Sequence, residues 1–514
     1  MKTKRFLLPA IFMSLLLSPL WAQPDDAAHI EWQSKIPRVV YPDANLVKLY
    51  EEAWRIAADR VRLGPEGTPA SPYLDENCYE DQIWIWDTSF MVLFARYCPA
   101  AYPGVQSLYN LYRPILDSVP TPLRIHLRDN PPLPAWCEYE NYVMTADTAH
   151  LNDILLRHRY LQRYFDYFNS VPKGSQLATV SPQAIYRGVV HDKEGRLMGF
   201  TWTGGASGMD NTPRGRDAGG QDKIMWVDAI SQQALAALNI GKLLSLKGEK
   251  KEARHWQAVY KELSATINRY YWDEKEGCYF DVDTATLQPC RVLTLASYWP
   301  MMAGVASRAQ AARMVEHLND STLLGGPFPW TTLSRSDKDY NAATGDYWRG
   351  GIWLPTAYMG TKALERYGYY HLADELAMKL LQQMWRTYRD VEPHTIWECY
   401  NPNANLPSTE HGHQARPDFC GWSALGPISL FIENVMGFRT FDGLHNRVIW
   451  NLKEQNGTHG IRGMHFGSIV TDIVYNRATR SVEVMSNHPY RLVINGKIYK
   501  IKSGKNKIEM RRAL

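Results

Sequence analysis

The chain has 514 residues, of which 21% are charged, and its formal net charge is +4 at pH 7. This balance excludes a protein that bulk charge would draw to nucleic acid or to anionic membranes. Its seven cysteines are scattered, odd in number and without a CxxC pair, which excludes a dense disulfide scaffold and a zinc ribbon but leaves one or two disulfides open.

The first 22 residues have the pattern of a secretory signal peptide. Lys2, Lys4 and Arg5 precede an apolar stretch, and the small residue Ala22 occupies the expected cleavage position. No later stretch has the roughly 18 uninterrupted apolar residues of a membrane helix. We therefore expect an exported protein, periplasmic or secreted, with no membrane attachment after cleavage. Its net charge would fall from +4 to +1, because these three positive charges leave with the peptide.

Helical periodicity recurs through residues 23–440. The first apolar stripe consists of Leu46, Tyr50, Ala53, Trp54, Ala57 and Val61. Further helices are predicted over 87–97, 104–117, 145–168, 223–247, 249–271, 293–303, 308–318, 351–367, 370–388 and 421–435. About eleven helices arranged as hairpins predict a mainly α fold, an (α/α)6 barrel in which six helix pairs close a ring.

The segments between these hairpins are predicted to be long loops. They cover 66–86, 119–144, 170–222, 325–350 and 389–420. They hold nearly all the Gly, Pro, Trp and charged clusters, so we expect them to line the open mouth of the barrel.

The end of the chain has a different character. Short β-rich runs cover 468–475 and 491–494, and Asn495-Gly496 is a hairpin-turn signal. We predict a signal peptide over 1–22, a barrel domain over 23–440 and a small β domain over 441–514.

The aromatic content is unusual, with 18 Trp and 30 Tyr. Many Trp residues stand beside charged residues or glycine in the predicted loops, as in 84–87, 347–350 and 397–398. Flat apolar faces next to hydrogen-bonding groups suit sugar rings. A large aromatic core is the alternative explanation.

Asp210 is a candidate catalytic carboxyl group. Inverting cleavage of a glycosidic bond needs an acid beside the leaving oxygen and a base on the opposite face, roughly 6.5–9.5 Å apart. The glycines around Asp210 allow close approach of a substrate, Asn211 can bind hydroxyl groups, and Arg214 and Arg216 can fix the loop. The alternative is an aspartate that stabilises a tight turn.

Glu398 is the second candidate. It follows Trp397, precedes Tyr400, and lies in a segment that ends at Asn401-Pro402, so we expect a partly desolvated carboxyl group. A structural ion pair with an arginine is the alternative. The two candidates are separated by several helical hairpins, and a ring could bring both to one mouth.

Four motifs carry a family resemblance. Residues 207–214, SGMDNTPR, resemble the acid-bearing signature of glycoside hydrolase family 63 and the related trehalases and mannosylglycerate hydrolases. Residues 397–402, WECYNP, with 419–425, FCGWSAL, resemble the segment that holds the catalytic base. Residues 347–353, YWRGGIW, are similar to a sugar-binding stretch, and 86–90, WDTSF, to the first-hairpin loop. The motifs keep the family's order over about 80–437.

The resemblance implies an (α/α)6 fold and an inverting reaction, with Asp210 as general acid and Glu398 as general base. The substrate-binding residues expected from it and from the surrounding motifs are Trp86, Asp87, Asn211, Arg214, Trp348, Arg349, Trp397, Tyr400 and Trp422. Arg349 or another cation is expected to lower the pKa of Glu398, while partial burial keeps Asp210 protonated.

The chain departs from the family pattern at three positions. Ala206 replaces a frequent glutamate, Met209 a tryptophan and Gly351 a proline. We expect these changes to affect the choice of substrate more than the reaction.

Together these features predict an exported, inverting, exo-acting glycoside hydrolase, α-glucosidase-like, that acts on α-linked oligosaccharides or small glycosides. No nucleic-acid partner is expected from the near-neutral net charge, and no cofactor is expected because the chain has no phosphate loop or dinucleotide fingerprint. No metal is expected, because the His411 and His413 pair lacks a matched third ligand and is typical of a solvated turn. Two alternatives stay open. One is a polysaccharide lyase that uses Tyr400 or His394 as base, and the other is a non-catalytic sugar-binding protein.

Overall fold

The computed structural model describes residues 31–76, 82–125, 131–170 and 187–510. The predicted signal peptide and Cys78 lie outside these ranges. The α-helices are α1 Ala44–Ala58, α2 Ile85–Ala95, α3 Gly104–Ser107, α4 Tyr109–Leu116, α5 Pro134–Thr145, α6 Thr148–Leu151, α7 Tyr160–Ser170, α8 Gly204–Ser207, α9 Val227–Leu246, α10 Lys250–Tyr270, α11 Trp299–Ala303, α12 Arg308–Asn319, α13 Leu354–Arg366 and α14 Tyr370–Asp390. A π-helical segment covers Gly426–Val435.

Helix α1 begins where its sequence supplies a cap. The Asp43 side chain accepts a hydrogen bond from the Asn45 amide at 2.9 Å. Five of the six residues in the predicted stripe are buried on this helix. The sixth, Val61, is buried on the short strand that follows. The prediction of this core-facing helix is confirmed.

Six helical segments contact one another in sequence order. Helix α2 contacts α5, α5 contacts α9, α9 contacts α11, and α11 contacts α13. The segment Gly426–Val435 contacts both α13 and α2, so the series of contacts closes on itself. Helices α7 and α10 pack against α9, α14 packs against α13, and α1 packs against the π-helical segment. The protein is therefore mainly helical: six helical segments contact one another in a closed circuit, and further helices pack against members of that circuit.

Helix α5 contradicts one sequence-based prediction, since it falls within the expected loop 119–144. The helix starts with Pro134 in its first turn, a position where proline is tolerated. Two of its polar residues, Glu138 and Asn141, are buried along with its apolar ones. Because the helix lacks a continuous exposed polar stripe, its period is not visible in the sequence.

The β-strands are β1 Arg38–Val40, β2 Val61–Arg62, β3 Tyr73–Leu74, β4 Gln82–Ile83, β5 Arg124–Ile125, β6 Gly188–His191, β7 Leu197–Thr201, β8 Ile224–Met225, β9 Trp272–Asp273, β10 Cys278–Tyr279, β11 Asp281–Asp283, β12 Pro289–Cys290, β13 Thr409–Glu410, β14 His413–Gln414, β15 Phe438–Asp442, β16 Arg447–Trp450, β17 His459–Phe466, β18 Ile469–Asn476, β19 Ser481–Ser486, β20 Tyr490–Ile494, β21 Lys497–Ile501 and β22 Gly504–Glu509. Strands β6 and β7 lie within the expected loop 170–222, so that prediction is also wrong in part.

Two sheets account for the last strands. One has the order β15-β16-β20-β21, and the other has the order β1-β17-β18-β19-β22. Asn495 and Gly496 join β20 to β21 with positive φ values of 48° and 82°, as the hairpin signal predicts. Strand β1 comes from the start of the described chain, so the five-stranded sheet is not built from the C-terminal residues alone. Strand β15 packs against α5 and the π-helical segment.

Six of the seven cysteines are described, and all six are buried free thiols: Cys98, Cys137, Cys278, Cys290, Cys399 and Cys420. Within the described ranges, no helix has the length and apolar character needed to cross a membrane.

Candidate active site

The segment that carries Asp210 is shaped by its glycines. Gly208 has φ of 81°, and a Cβ atom there would lie 2.8 Å from the indole ring of Trp86. A Cβ on Gly204 would lie 2.3 Å from the carbonyl oxygen of Asp210. Only glycine suits a positive φ combined with such close packing. The acid-bearing loop therefore rests directly on the first turn of α2.

Two arginines fasten this loop. The Arg214 guanidinium donates to Asp228 at 2.7 and 2.9 Å and to Asp281 at 2.7 and 2.6 Å. Arg216 pairs with Asp337 at 2.6 Å and with Asp339 at 2.5 Å. The expectation that these arginines fix the loop is confirmed. The substrate-binding role expected for Arg214 is wrong, because its side chain is only 1% exposed and its donors are already bonded.

Asn211 joins the acid-bearing loop to the segment before α13. Its Nδ2 donates to the Asp346 carbonyl at 2.9 Å, and its Oδ1 accepts from the Trp348 amide at 2.8 Å. The half-buried Arg349 donates from Nε to the Asn211 carbonyl at 3.3 Å. The two motifs around Asp210 and Trp348 are thus locked together by backbone and amide hydrogen bonds. Direct sugar contacts by Asn211 and Arg349 stay predictions.

The aromatic residues form the support behind the site. Trp86 lies edge-on to Trp348 with ring centroids 6.5 Å apart, and Trp348 stacks on Trp353 at 4.2 Å. Trp86 and Trp348 are both buried. Gly351, three residues after Trp348, is one of the departures from the family pattern. A Cβ atom there would lie 2.3 Å from the Tyr347 carbonyl oxygen, so this backbone has no room for a side chain. Sugar contacts by the two buried tryptophans stay predictions.

Three further residues expected to bind substrate pack around the Glu398 segment. Trp422 donates from Nε1 to the Glu398 carbonyl at 3.1 Å and packs on Phe419. The Tyr400 hydroxyl accepts from the Trp397 amide at 3.1 Å, and Tyr400 is fully buried. Trp397 and Trp422 are also buried, and the three side chains support the Glu398 segment. Sugar contacts by them stay predictions, as for Trp86 and Trp348.

Glu398 is fully buried, yet its carboxylate has several donors. Oε1 accepts from the Tyr347 hydroxyl at 3.0 Å and from Arg416 Nη1 at 3.1 Å. Oε2 accepts from the Arg416 amide at 3.3 Å. Burial raises the pKa of Glu398, and the Arg416 charge and these hydrogen bonds oppose that rise. The cation beside Glu398 is therefore Arg416, one of the other cations that the prediction allowed besides Arg349. The pKa of Glu398 is nevertheless raised overall, so the expected lowering is wrong, because burial outweighs the Arg416 charge.

Asp210 has a different environment. Its side chain reaches solvent at the surface of a recess, with protein atoms on most sides. The loss of surrounding water, together with the negative charges of Glu410 and Glu398, raises the pKa of Asp210 to about 7. Asp87, at the start of α2, is buried, and its pKa is raised well above the usual range by burial and by the charges of Asp210 and Glu398. The fold therefore brings Asp210, Glu398 and Asp87 into one electrostatically linked site.

Three residues of the site had no role in the sequence-based prediction: Tyr347, Arg416 and Glu410. Tyr347 is the first residue of the motif 347–353, but no spacing rule connects it to Glu398. Arg416 and Glu410 lie near a hairpin turn whose two strands are two residues long, so periodicity gave no signal. His411 and His413 in that turn are exposed. Within the part of the chain that the structure describes, no group of three or more His, Cys, Asp or Glu residues could hold a metal ion.

The base residues suggested for a lyase are poorly placed for that role. His394 is exposed and pairs with Glu392 at 3.0 Å, while its Nδ1 lies 3.0 Å from the Tyr388 carbonyl oxygen. Tyr400 is enclosed in the core. Burial and the Glu398 charge raise the pKa of Tyr347, so this phenol stays protonated and donates to the carboxylate. The geometry therefore favours chemistry by two carboxyl groups over a tyrosine or histidine base.

Two curated proteins are similar to this chain in sequence. An uncharacterized protein of Borreliella burgdorferi is 24% identical over 89% of this chain and 94% of its own. A cytosolic neutral trehalase of Pyricularia oryzae is 31% identical over 32% of this chain and 23% of its own.

Among solved structures, a sialidase has a TM-score of 0.69 at 13% identity, covering 96% of this chain and 43% of its own. A family 63 mannosylglycerate hydrolase of Thermus thermophilus, in complex with Tris, has a TM-score of 0.53 at 16% identity, covering 74% of this chain and 99% of its own. At these identities the structural likeness concerns the fold.

The sequence model of the mannosylglycerate hydrolase MGH1-like glycoside hydrolase domain matches residues 124–416, more than half of the chain. The matched region contains both Asp210 and Glu398, and it ends at Arg416. The resemblance to glycoside hydrolase family 63 is thereby confirmed. The chain belongs to the mannosylglycerate hydrolase MGH1-like glycoside hydrolase family and is a glycoside hydrolase.

Proposed function

We propose that this hydrolase releases a sugar from the non-reducing end of an α-linked oligosaccharide or small glycoside, with inversion, using Asp210 as general acid and Glu398 as general base. One observation carries the proposal. Asp210 is an accessible carboxyl group whose pKa is raised to about 7, and it lies near a fully buried carboxylate that Arg416 and Tyr347 hold in place.

The two environments suit the two roles. A carboxyl group that keeps its proton to near-neutral pH can donate it to the leaving oxygen. Glu398 receives two side-chain donors on Oε1, but Oε2 has only the long bond from the Arg416 amide among the described residues. A lone pair on Oε2 is then available to accept a proton from the attacking water. Asp87 and Arg349 would contact the sugar hydroxyl groups.

Relatives guide the choice of substrate. The similar proteins include a neutral trehalase and a mannosylglycerate hydrolase. We therefore test trehalose, mannosylglycerate and α-linked gluco- and manno-oligosaccharides, following the anomer of the released sugar by proton NMR. We expect the β-anomer to appear first from mannosylglycerate and the α-linked oligosaccharides, and equal amounts of α- and β-glucose from trehalose. Asp210→Asn should abolish release from all of them.

Other outcomes would change the assignment. From mannosylglycerate or an α-linked oligosaccharide, first release of the α-anomer from the non-reducing end would contradict inversion, and from trehalose a product with no β-glucose would do so. Turnover by Asp210→Asn at the wild-type rate would remove Asp210 from the mechanism. Sugar binding without turnover, unaffected by Asp210→Asn, would favour the non-catalytic alternative. Products that absorb ultraviolet light through a new double bond would favour the lyase.

We also propose that the closed series of helices is an (α/α)6 barrel, with the catalytic domain over 23–440 and a β domain over 441–514. The contact order of the six segments and the similar glycosidase structures support this architecture. Strand β1 would then tie the start of the catalytic domain to the β domain.

Export is a separate proposal. The charged start, apolar stretch and Ala22 support removal of residues 1–22 during secretion to the periplasm or the medium. N-terminal sequencing of the protein from fractionated cells tests this directly. A mature chain that begins at Gln23 outside the cytoplasm is expected, and an uncleaved chain in the cytosol would contradict it.

A further inference from the structure

Arg416 lies between two carboxylates. Its Nη1 is 3.1 Å from Oε1 of Glu398, and its Nη2 is 3.8 Å from Oε2 of Glu410. The Arg416 side chain is 38% exposed, whereas Glu398 is fully buried, so the guanidinium spans the boundary between the protein interior and the open side of the site. One cation therefore serves an inner carboxylate, which is the proposed base, and an outer one.

The segment that carries Glu410 is fastened to the Glu398 segment. Strand β13 pairs with β14, with Glu410 opposite His413. The Ser408 amide donates to the Cys399 carbonyl at 3.0 Å, and the Glu398 amide donates to the Arg416 carbonyl at 2.9 Å. These backbone hydrogen bonds join the hairpin to the Glu398 segment on both sides.

A second fastening comes from the segment before α13. Thr409 Oγ1 donates to Thr344 Oγ1 at 2.7 Å. Tyr347, three residues after Thr344, donates its hydroxyl proton to Glu398. The hairpin, the base and the loop that supports the base are consequently one connected unit, and Glu410 is not an independent surface residue.

Among the described residues, several charged and titratable groups belong to the same electrostatic network as Glu410. From its own hairpin come His411, His413 and Arg416, from the base segment Glu398 and Cys399, from the loop before α13 Tyr347, and from the acid-bearing loop Asp210. Arg416 supplies the nearest positive charge among them. Asp210 and Glu398 both experience the negative charge of Glu410.

We propose that Glu410 is a positioning residue of the hydrolase: it shares Arg416 with Glu398, so that one cation links the proposed base to an outer carboxylate. The proposal rests on the roles assigned to Asp210 and Glu398 above. Glu410 needs no contact with the sugar in this scheme, because it acts through Arg416 and through its field.

The sign of the effect follows from the charges. A carboxylate beside Asp210 favours the protonated acid, and at Asp210 the charge of Glu410 has a larger effect than that of Glu398. By drawing on Arg416, Glu410 also weakens the stabilisation of ionised Glu398, whose pKa it raises. Replacing Glu410 by a neutral residue should therefore lower the pKa values of both catalytic groups.

The experiment compares Glu410→Gln with the wild type in kcat/KM against pH, using the glycoside that the NMR screen identifies. Both limbs of the profile should move to lower pH, the alkaline limb by about one unit. Glu410→Asp, which keeps the negative charge, should move the limbs less than Glu410→Gln does. Glu392→Gln, which also removes one carboxylate but from an 83% exposed side chain, is the matched control and should leave the profile in place.

A second readout does not depend on turnover. The difference in unfolding midpoint between wild type and Asp210→Asn, followed from pH 4 to pH 8, reports the titration of Asp210. The same difference measured in the Glu410→Gln background should reach its plateau at lower pH.

An unmoved profile with an unmoved stability titration would overturn the role of Glu410. If instead Asp210→Asn and Glu398→Gln retain full activity, the proposed function itself fails, which is a separate result.

Discussion

The carboxyl group of Asp210 should make the folded protein less stable as the pH rises, and Asp210→Asn should remove this effect. The pKa of Asp210 is raised from its usual 3.8 to about 7, so the native state keeps a proton that the unfolded chain has lost. The contribution of this proton to the free energy of unfolding is fully present below about pH 4 and is lost as the pH rises toward 7. Asparagine has a similar shape and does not titrate.

The magnitude follows from the shift. A rise of about three pKa units corresponds to at most about 4 kcal/mol at 1.36 kcal/mol per unit. Because the Asp210 side chain is exposed at the open side of the site, solvent screening should reduce this to about 1–2 kcal/mol. We expect the variant and the wild type to unfold alike at pH 4, with the variant more stable above pH 7 and inactive throughout.

Thermal unfolding of both proteins from pH 4 to pH 8 measures this difference, with Asp217→Asn as control because Asp217 lies on the same loop and its side chain is 58% exposed. The control should show no comparable pH-dependent gain. A constant difference between Asp210→Asn and wild type across the range, or a variant less stable at pH 8, would refute the argument that the folded protein holds this carboxyl group protonated.

Three further substitutions test the scaffold around the site. Arg214→Met should destabilise the protein by about 3–5 kcal/mol, because two buried aspartates lose their partner; unfolding at pH 7 measures this, and a loss below about 1 kcal/mol would contradict it. Gly208→Ala should lower kcat and reduce the free energy of unfolding by about 1–3 kcal/mol, through backbone strain and a clash with Trp86. Gly219→Ala is the control: Gly219 has the same φ of 81°, but a Cβ there has no atom within 4 Å, so only the strain of the backbone should reduce its stability. Glu433→Gln should destabilise the protein at pH 7, and the loss should shrink as the pH falls below about 4.5. Burial raises the pKa of this carboxyl group, but the charges of Lys362 and Arg96 outweigh that rise and lower the pKa, so its stabilising contribution is lost on acidification. KM should stay unchanged, and a destabilisation that does not change with pH would be the contrary result.

Much of the helical architecture could be predicted from the chain itself. The stripe from Leu46 to Ala57 places α1, because the apolar period of a half-buried helix is a local property. The turn at Asn495-Gly496 was equally visible, since positive φ values favour these residue types. Helix α5 was not visible, because a helix buried on several sides has no alternation of apolar and polar faces to detect.

The candidate site divides in the same way. The glycines around Asp210 and the settings of Asp210 and Glu398 marked both carboxyl groups as candidates, since local composition already shows where backbone must approach a partner closely. The partners of these groups were decided only by tertiary structure. Arg214 looked like a substrate ligand and proved to be a buried ion-pair centre, and the cation beside Glu398 proved to be Arg416. Ion pairs and pKa values depend on distances and desolvation among residues far apart in the chain, and only the folded structure sets those.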